Sequence, residues 1–398
     1  MNKYIKTRFP FFSTNEGTTY LDSAASSLKL GSVTNALNEY YQASGVNIHR
    51  GVYKLAYEAT EKYEETRKLV SDFLNSEVDE VIFTKGTTDS LNKVAKSYGT
   101  FINDGDEIIT SELEHHSSFL PWQEIANEKN AKLVFIPLNK GRITVDGFKK
   151  VITNKTKVVA ITYVSNVLGY KTPIKEITKL AHEVGAIVIL DAAQAVSHIK
   201  IDVKDMDVDF LAFSAHKMYG PNGVGVLYGK KALLEKLPPF EYGGEMVHTV
   251  SKDKSTWKDI PYKFEAGTPV IGEVIAFSEA IDFINEIGID NICKQEMELK
   301  DYTVSKLKTI QGVKVYNPDA DNPIIAFNID NVHPHDVTSV LDQNNVCIRA
   351  GHHCAQLAIK YLNEIATLRA SFGVYNTLED CDKFLEAVKM ASDFFKKF

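Results

Sequence analysis

Cysteine is scarce in this sequence, which has four cysteines, Cys293, Cys347, Cys354 and Cys381, in 398 residues. They have neither the density of a disulfide framework nor the spacing of a set of metal ligands. The pattern therefore argues against a fold held together by disulfides and favours a reducing, cytoplasmic environment. A single reactive thiol is still compatible with it.

Excess positive charge and long apolar runs are lacking as well. Lys and Arg number 45 against 52 Asp and Glu, a formal net charge of −7, so the protein has no basic field to attract a phosphate backbone. No apolar run approaches the ~20 residues that cross a bilayer, and the N-terminal segment MNKYIKTRFPFF is charged. We expect neither nucleic acid nor a membrane as a partner.

The order of apolar segments predicts an α/β protein. Between residues 80 and 230, short runs rich in β-branched residues, such as EVIFT, AIVIL and VDFLAFS, alternate with amphipathic segments. Continuous apolar strands joined by helices are typical of a mainly parallel sheet covered on both faces. Residues 270–311 then predict a long helical region. The short strands and helices after it, up to a terminal helix from residue 377, predict a smaller α+β domain with a boundary near EAGTPV.

Two polar segments follow the apolar runs AIVIL and FLAFS. Asp191 ends the first, where a buried sheet meets a crevice, so its carboxylate needs a cation or a donor unless it caps the next helix. Gln194 follows three residues later and could contact the same ligand. Lys217 follows the second run, beside His216 and close to Ser214. A lysine there is a solvated loop residue, a phosphate ligand or an amine that reacts with an aldehyde.

Three further segments fall at predicted strand ends or helix starts. In TKGTTDS, backbone N–H groups and threonine hydroxyls make either an anion site or a simple helix cap. In EHHSSFLPW, the imidazole of His115 stacks on a flat ring or satisfies a loop. In IRAGHHCAQ, Cys354 follows two histidines and stands near Arg349, a setting that favours a thiolate. The alternatives for this thiol are a metal ligand and a buried hydrophobic residue.

Together these features describe one ligand. A phosphate cradle, a carboxylate for a ring nitrogen, an amide for a phenolic oxygen, a flat stacking group and a lysine amine are what pyridoxal 5′-phosphate (PLP) requires. Asp191 would keep the pyridine nitrogen protonated, and Lys217 would bind the cofactor covalently and later shuttle the Cα proton of the substrate. The sequence therefore predicts a PLP enzyme.

The motifs DAAQA, FSAHKMYGPNGVGVLY, EHHSSFLPW, EAGTP and RAGHHCA together resemble those of the cysteine desulfurases, fold-type I enzymes of class V aminotransferase ancestry. GHHCA resembles their second group, and the resemblance runs from TTYLDSAASSL to LRASFGVYNT, nearly the whole chain. It implies an α/β fold with a large, mainly parallel seven-stranded sheet. It also implies a PLP-binding domain over residues 21–269, a small domain formed by residues 1–20 and 270–398, and a homodimer with active sites near the subunit interface.

The resemblance also assigns site residues. It implies that His115 stacks on the cofactor ring, that Asp191 contacts the ring nitrogen and that Gln194 contacts the phenolic oxygen. Arg369 would clamp the substrate carboxylate, a bidentate task that suits its planar fork. The implied phosphate ligands are Thr88, Ser214 and His216, together with Thr268 reaching across from the partner subunit. Thr87, whose hydroxyl opens the same helix, is a further candidate ligand. Further implied active-site positions are His49, Arg50, Asn166, Arg349 and His353.

The implied reaction depends on Cys354. This thiol would accept the sulfur of L-cysteine as a persulfide, release L-alanine, and pass the sulfur to an acceptor protein for iron–sulfur cluster assembly. Its loop is short, because 15 positions separate Cys354 from Arg369, and it departs from the family pattern at Leu357, where proline is common. The alternatives are a selenocysteine lyase acting on L-selenocysteine, a PLP aminotransferase and, outside enzymes, a non-catalytic scaffold.

Overall fold

The computed structural model describes residues 2–396, in which helices and short strands alternate along the chain. The α-helices are α1 (Asn2–Lys6), α2 (Phe11–Thr14), α3 (Gly31–Glu39), α4 (Lys54–Leu74), α5 (Thr87–Tyr98), α6 (His116–Lys129), α7 (Val145–Lys149), α8 (Ile174–Glu183), α9 (Val203–Met206), α10 (Lys231–Lys236), α11 (Ile271–Ile287), α12 (Ile289–Leu307), α13 (Pro334–Gln343), α14 (Gln356–Tyr361) and α15 (Leu378–Phe395). The strands are β1 (Thr19–Tyr20), β2 (Val81–Thr84), β3 (Glu107–Thr110), β4 (Lys132–Phe135), β5 (Thr156–Thr162), β6 (Ile187–Asp191), β7 (Phe210–Ser214), β8 (Gly225–Gly229), β9 (Val247–Val250), β10 (Ser255–Trp257), β11 (Val313–Val315), β12 (Ile324–Ile329), β13 (Val346–Cys347), β14 (Arg349–Gly351) and β15 (Thr367–Ser371). None of the helices within residues 2–396 is long and apolar enough to cross a bilayer.

The large sheet has seven strands in the order β2-β8-β7-β6-β5-β3-β4. Only β8 runs against its two neighbours, which confirms the prediction of a mainly parallel sheet. Strands β6 and β7 are buried along their whole length, as their unbroken apolar runs predict for a sheet covered on both faces. Helix α8 begins directly after Pro173 and ends before Gly185.

A second, antiparallel sheet has the order β11-β12-β15-β14, and β1 pairs with β13 beside it. The predicted helical region over 270–311 forms two helices, because the chain breaks at Gly288 with a positive φ of 83°. Helix α11 packs on α3 and α4 and shares the core of the large sheet. Helices α13 and α15 pack on the small sheet. The division into two domains at residue 270 stays a prediction.

The carboxyl ends of the parallel strands set the place of the site. Thr162, Asp191 and Ser214 end β5, β6 and β7, and Thr162 pairs with Asp191 in register. Polar side chains that end adjacent parallel strands meet at one edge of a sheet, which is where open α/β folds bind ligands. This edge faces β14 and β15 of the small sheet, whose Arg349 and Arg369 line the same cavity as Asp191.

Candidate active site

A cavity of about 180 Å³ lies at this edge, between the large and small sheets. It brings together residues that are far apart in the sequence and come from at least six segments. The predicted site residues that line it are Thr87, Thr88, His115, Asn166, Asp191, Gln194, Ser214, His216, Lys217, Arg349, His353, Cys354 and Arg369. Most of the side chains singled out from the sequence therefore meet in one place.

Lys217 and Asp191 line the cavity as a buried amine and a buried carboxyl group. Burial lowers the pKa of Lys217 to about 8, although the carboxylate of Asp191 counteracts part of this effect. Burial raises the pKa of Asp191, which the backbone N–H of Ala193, 3.0 Å from Oδ1, and the charge of Lys217 partly offset. A lysine with a lowered pKa presents a larger fraction of neutral, nucleophilic amine near neutral pH. The pair therefore provides a nucleophile and a buried anion in one cavity.

The start of helix α5 provides a cradle for an anion. The backbone N–H of Thr87 donates to Ser214 Oγ at 2.7 Å, and the hydroxyl groups of the two residues are also 2.7 Å apart. Gly86, which precedes the helix, has a φ of 150°, and a Cβ added there would lie 3.3 Å from Ser214 Oγ. His216 lines the same end of the cavity, and burial lowers its pKa to about 4. Backbone N–H groups at a helix start and small hydroxyls suit a phosphate.

His115 is held in one tautomer. It caps helix α6, and its Nδ1 accepts from the backbone N–H of Ser117 at 3.2 Å. Burial lowers the pKa of the ring to about 3, so the imidazole is neutral at neutral pH. Because Nδ1 accepts a hydrogen bond, the ring proton lies on Nε2. The cavity thus contains a neutral, fixed ring whose Nε2 carries the proton.

The loop that carries Cys354 is fixed at both sides of the thiol. His353 and Cys354 both have positive φ, 53° and 54°. Asn166 Nδ2 donates to the His353 carbonyl at 2.7 Å, and the N–H of His116 donates to the Cys354 carbonyl at 2.7 Å. The His353 ring donates from Nε2 to the carbonyl of Thr367 at 3.1 Å, and burial lowers its pKa to about 2. The left-handed backbone of two consecutive residues turns Cys354 outward on a constrained loop.

Cys354 is exposed and lies at the boundary between two spaces. It lines the inner cavity with Lys217, and it also lines an outer groove of about 470 Å³ between α5 and α6. Leu120, which is 45% exposed, lies in this groove. A thiol in this position can be approached from the inside by a small molecule and from the outside by another protein.

Two arginines lie together at the end of the cavity nearest the small sheet. Arg369 is buried and donates from Nη1 to the Asn166 carbonyl at 3.0 Å and from Nη2 to Asp22 Oδ1 at 3.2 Å. Arg349 donates from Nε to the other oxygen of Asp22 at 3.3 Å. Within residues 2–396, the buried Nε of Arg369 and Oδ1 of Asn166 have no protein partner. These unpaired polar atoms suit a polar ligand that supplies the missing partners.

Sequence reasoning missed Asp22, Lys29 and Ser27. Lys29 Nζ and Ser27 Oγ both donate to the carbonyl of His216, at 2.9 and 3.0 Å, and Ser27 Oγ accepts from the N–H of Tyr219 at 2.6 Å. The segment that follows β1 therefore holds the turn that carries Lys217. Asp22 and Ser27 lie in the motif TTYLDSAASSL, which marked the start of the resemblance but carried no assigned role, and Lys29 directly follows it.

Three predicted site residues lie away from this cavity. His49 Nε2 is 3.0 Å from Glu64 Oε1, and Arg50 forms an ion pair with Glu245 at 2.9 Å. Thr268 is exposed. A single chain does not bring these residues to the site that the other thirteen share, and their predicted roles in the active site stay predictions.

A buried ion-pair network connects the two loops that carry these residues. Arg67, fully buried on α4, donates to Glu64 at 2.8 Å and to both oxygens of Glu265, at 2.6 and 2.9 Å. Glu64 in turn contacts His49, and Glu265 precedes Thr268 in the motif EAGTP. The loops that carry His49 and Thr268 are therefore both tied to α4.

The residues around the cavity fit PLP. Asp191 is a buried carboxylate that suits a protonated ring nitrogen, and His115 is a neutral ring. The start of α5 presents N–H and hydroxyl groups that suit a phosphate, and the amine of Lys217 suits an aldehyde. A Cβ at Gly86 would lie 3.3 Å from Ser214 Oγ, so a side chain there would crowd the hydroxyl that accepts from the N–H of Thr87. Gln194 donates from Nε2 to the carbonyl of Ala24 at 2.8 Å, so a second N–H of its amide remains for the phenolic oxygen.

Comparisons with known proteins agree with this geometry. The family model described as aminotransferase class-V matches residues 19–384. A protein of Halalkalibacterium halodurans named probable cysteine desulfurase is 48% identical over 379 residues, which cover 94% of this chain and 93% of the relative. The crystal structure of the cysteine desulfurase CsdA of Escherichia coli shares 36% identity and a TM-score of 0.94 over 99% of both chains. An apo cysteine desulfurase of Thermococcus onnurineus NA1 shares 38% identity and a TM-score of 0.95 over 98% of both chains.

Proposed function

Because the chain belongs to the aminotransferase class-V family, and to the PLP-dependent cysteine desulfurases within it, we propose that Cys354 takes the sulfur of L-cysteine and passes it to an acceptor protein. The observation that supports this most directly is the position of Cys354. It is exposed, and it lines the same cavity as Lys217 and Arg369 while also lining the outer groove. An aminotransferase has no use for a thiol held in this way.

Different residues of the cavity would hold the cofactor, transfer the proton and bind the substrate carboxylate. Bound PLP supplies an electron sink for bonds that break at the Cα of an amino acid. Asp191 would hold the ring nitrogen, His115 would lie against the ring, and Thr87, Thr88, Ser214 and His216 would hold the phosphate. Lys217 Nζ, with its pKa of about 8, takes up and returns the Cα proton near neutral pH. Arg369 and Arg349 orient the substrate through its carboxylate.

Sulfur transfer balances without an outside oxidant. The Cys354 thiolate attacks the substrate sulfur, the C–S bond of the substrate breaks and an S–S bond to Cys354 forms. The former thiol proton ends on the new methyl group of alanine. The products are an enzyme persulfide and L-alanine, and a second thiol then removes the terminal sulfur from Cys354.

The reaction also involves two protein partners, a sulfur acceptor and a second subunit. The second thiol belongs to a sulfur-acceptor protein of an iron–sulfur assembly system, which approaches from the outer groove. The enzyme is a cytoplasmic homodimer, and Thr268, His49 and Arg50 act at the site of the partner subunit. In support, these residues lie on exposed or half-buried loops away from their own cavity, next to exposed apolar side chains such as Val52, which is 86% exposed.

Replacement of the thiol tests this function. Cys354→Ser keeps the size of the side chain but cannot hold a sulfur atom, so alanine formation from L-cysteine and sulfur transfer should both fall to background. Cys293→Ser, which changes a half-buried thiol on α12, is the matched control and should keep both activities. Coupled assays of alanine and sulfide in the presence of a reductant provide the measurement. Unchanged sulfide release by Cys354→Ser would favour a selenocysteine-lyase or aminotransferase type of site and contradict the proposal.

A further inference from the structure

Two arginines face each other across adjacent strands of the small sheet. Arg349 of β14 and Arg369 of β15 are register partners in an antiparallel pair. Side chains in such positions have Cβ atoms ~5 Å apart, and like charges directly opposite each other destabilise a sheet. The side chain of Arg369 is 2% exposed and that of Arg349 is 46% exposed, so water screens the repulsion only on one side. The pair needs an anion to be stable.

Asp22 is the anion that the protein supplies. One oxygen of its carboxylate accepts from Arg369 and the other from Arg349. Its backbone is fixed next to β15, because Ser371 donates its N–H to the Leu21 carbonyl at 2.8 Å and Asp22 forms a parallel bridge with Ser371. The backbone pairing of its segment with Ser371, at the end of β15, therefore places the Asp22 carboxylate beside the two arginines.

The charges around the carboxylate of Asp22 do not cancel. Two guanidinium groups against one carboxylate leave one positive charge that no protein group neutralises within the described contacts of this pair. Two of the nitrogens of Arg369 are held, Nη1 by Asn166 and Nη2 by Asp22, while its buried Nε has no protein partner in the described part of the chain. Burial of this guanidinium lowers its pKa, and the charge of Asp22 counteracts that effect. The remaining charge and the free N–H are suited to a single carboxylate.

We propose that Asp22 is the positioning residue of the carboxylate subsite: it holds Arg349 and Arg369 side by side and leaves them one net positive charge, which selects amino acids through their α-carboxylate. The proposal rests on the function inferred above, since that function assigns the substrate carboxylate to this pair. It adds a residue that contacts the arginines rather than the substrate. A carboxylate that merely stabilised the fold would not affect how the enzyme distinguishes ligands with and without a carboxylate.

The first test compares ligands that differ in this group. In Asp22→Asn, the amide keeps one acceptor oxygen but loses the charge, so one of the two arginines loses its contact and the repulsion between them is no longer offset. We expect the KM for L-cysteine to rise about tenfold with kcat changed less than twofold, the pattern of lost binding rather than lost chemistry. Binding of L-alanine, followed by cofactor absorbance, should weaken by a similar factor, and binding of ethylamine should not change. Asp146→Asn, an exposed aspartate in the first turn of α7, is the matched control.

The second test does not depend on turnover. If Asp22 neutralises repulsion between the arginines, Asp22→Asn should destabilise the apoprotein in urea, and the added change Arg349→Gln should restore part of the loss. Strictly additive effects in this double-mutant cycle, or a lower KM in Asp22→Asn, would overturn the proposal, since a lower KM would mean that Asp22 competes with the substrate. Equal weakening of L-alanine and ethylamine would overturn it too. A wild-type protein that bound carboxylates in this way without desulfurising L-cysteine would refute the proposed function alone.

Discussion

At the scale of single residues, burial sets the protonation of the groups around the cavity. It lowers the pKa of Lys217 to about 8, that of His115 to about 3 and that of His353 to about 2. Each shift favours the neutral form, because a charge is costly where water is excluded. Near neutral pH the site therefore contains neutral rings and a lysine close to its titration point. These are the states that ring stacking and proton transfer at a substrate carbon require.

Glu114 is the buried acid of this region that the proposed mechanism does not use. Its Oε1 accepts from Ser111 Oγ at 2.7 Å and from the N–H of Thr162 at 3.0 Å, and its Oε2 has no protein partner in the described chain. Burial, with a further contribution from the charge of Asp191, raises its pKa to about 8. Near neutral pH, Glu114 is therefore protonated and uncharged in the folded protein, next to the end of β5.

Glu114→Gln should change the pH dependence of stability. The folded wild type keeps the proton up to a pKa of about 8, whereas the unfolded chain loses it near 4.5, so wild-type stability falls as pH rises between these values. Glu114→Gln has no proton to lose at this position, so its stability does not fall with pH in this way. Its free energy of unfolding, relative to wild type, should therefore increase with pH by at most about 1.4 kcal/mol per pH unit across that window.

Urea unfolding of the apoproteins between pH 5 and pH 8 provides the measurement for Glu114, within the window set by 4.5 and about 8. Glu128→Gln, on the exposed face of α6, is the control and should show no such trend. A difference between Glu114→Gln and wild type that stays constant or shrinks as pH rises would show that Glu114 is ionised in the folded protein.

At the scale of elements, the strands and helices that were predicted correctly are those marked by a local pattern of apolar residues. Unbroken apolar runs identified β6 and β7, and so placed Asp191 and Ser214 at the edge where they are found. Gly288 was missed as a break between α11 and α12, because both flanks have helical periodicity. The hairpin of β9 and β10 was missed as well, since its strands are short and largely exposed, without an apolar run to mark them.

The turn before α5 depends on two glycines that touch. A Cβ on Gly225 of β8 would lie 2.3 Å from the Cα of Gly86, and backbone cannot move aside as a flexible side chain can. Gly225→Ala should therefore displace the turn that carries Thr87, lower the free energy of unfolding by about 1–3 kcal/mol and accelerate the loss of PLP. Urea unfolding and the decay of cofactor absorbance measure the two effects.

Gly31→Ala is the matched control for this turn. A Cβ at Gly31, the first residue of α3, would lie 3.4 Å from Pro10 Cγ, an ordinary contact. This variant should retain both stability and cofactor. If Gly225→Ala and Gly31→Ala had the same free energy of unfolding and the same rate of PLP loss, the contact between β8 and the turn would not be what holds the phosphate cradle in place.

At the scale of the whole molecule, the site lies between two cores and depends on long-range contacts. Thirteen residues of the cavity were predicted, some from local patterns at strand ends and helix starts and others, such as Arg369 and Asn166, from the resemblance of the motifs to those of cysteine desulfurases. Asp22 and Arg369 are 347 residues apart in sequence, and no periodicity reveals that a carboxylate of one segment will meet a guanidinium of another. The same limit applies to the contact of Lys29 with His216, which needs the folded chain to be seen.

Peptide mass spectrometry can show directly whether Cys354 receives the substrate sulfur. The PLP-loaded enzyme is mixed with one equivalent of L-cysteine without a reductant, the thiols are blocked and the peptides are analysed. We expect one added sulfur atom on the peptide that carries Cys354, with an equal amount of alanine. Alanine formed with no sulfur on Cys354, or with the sulfur on Cys293, Cys347 or Cys381, would contradict it.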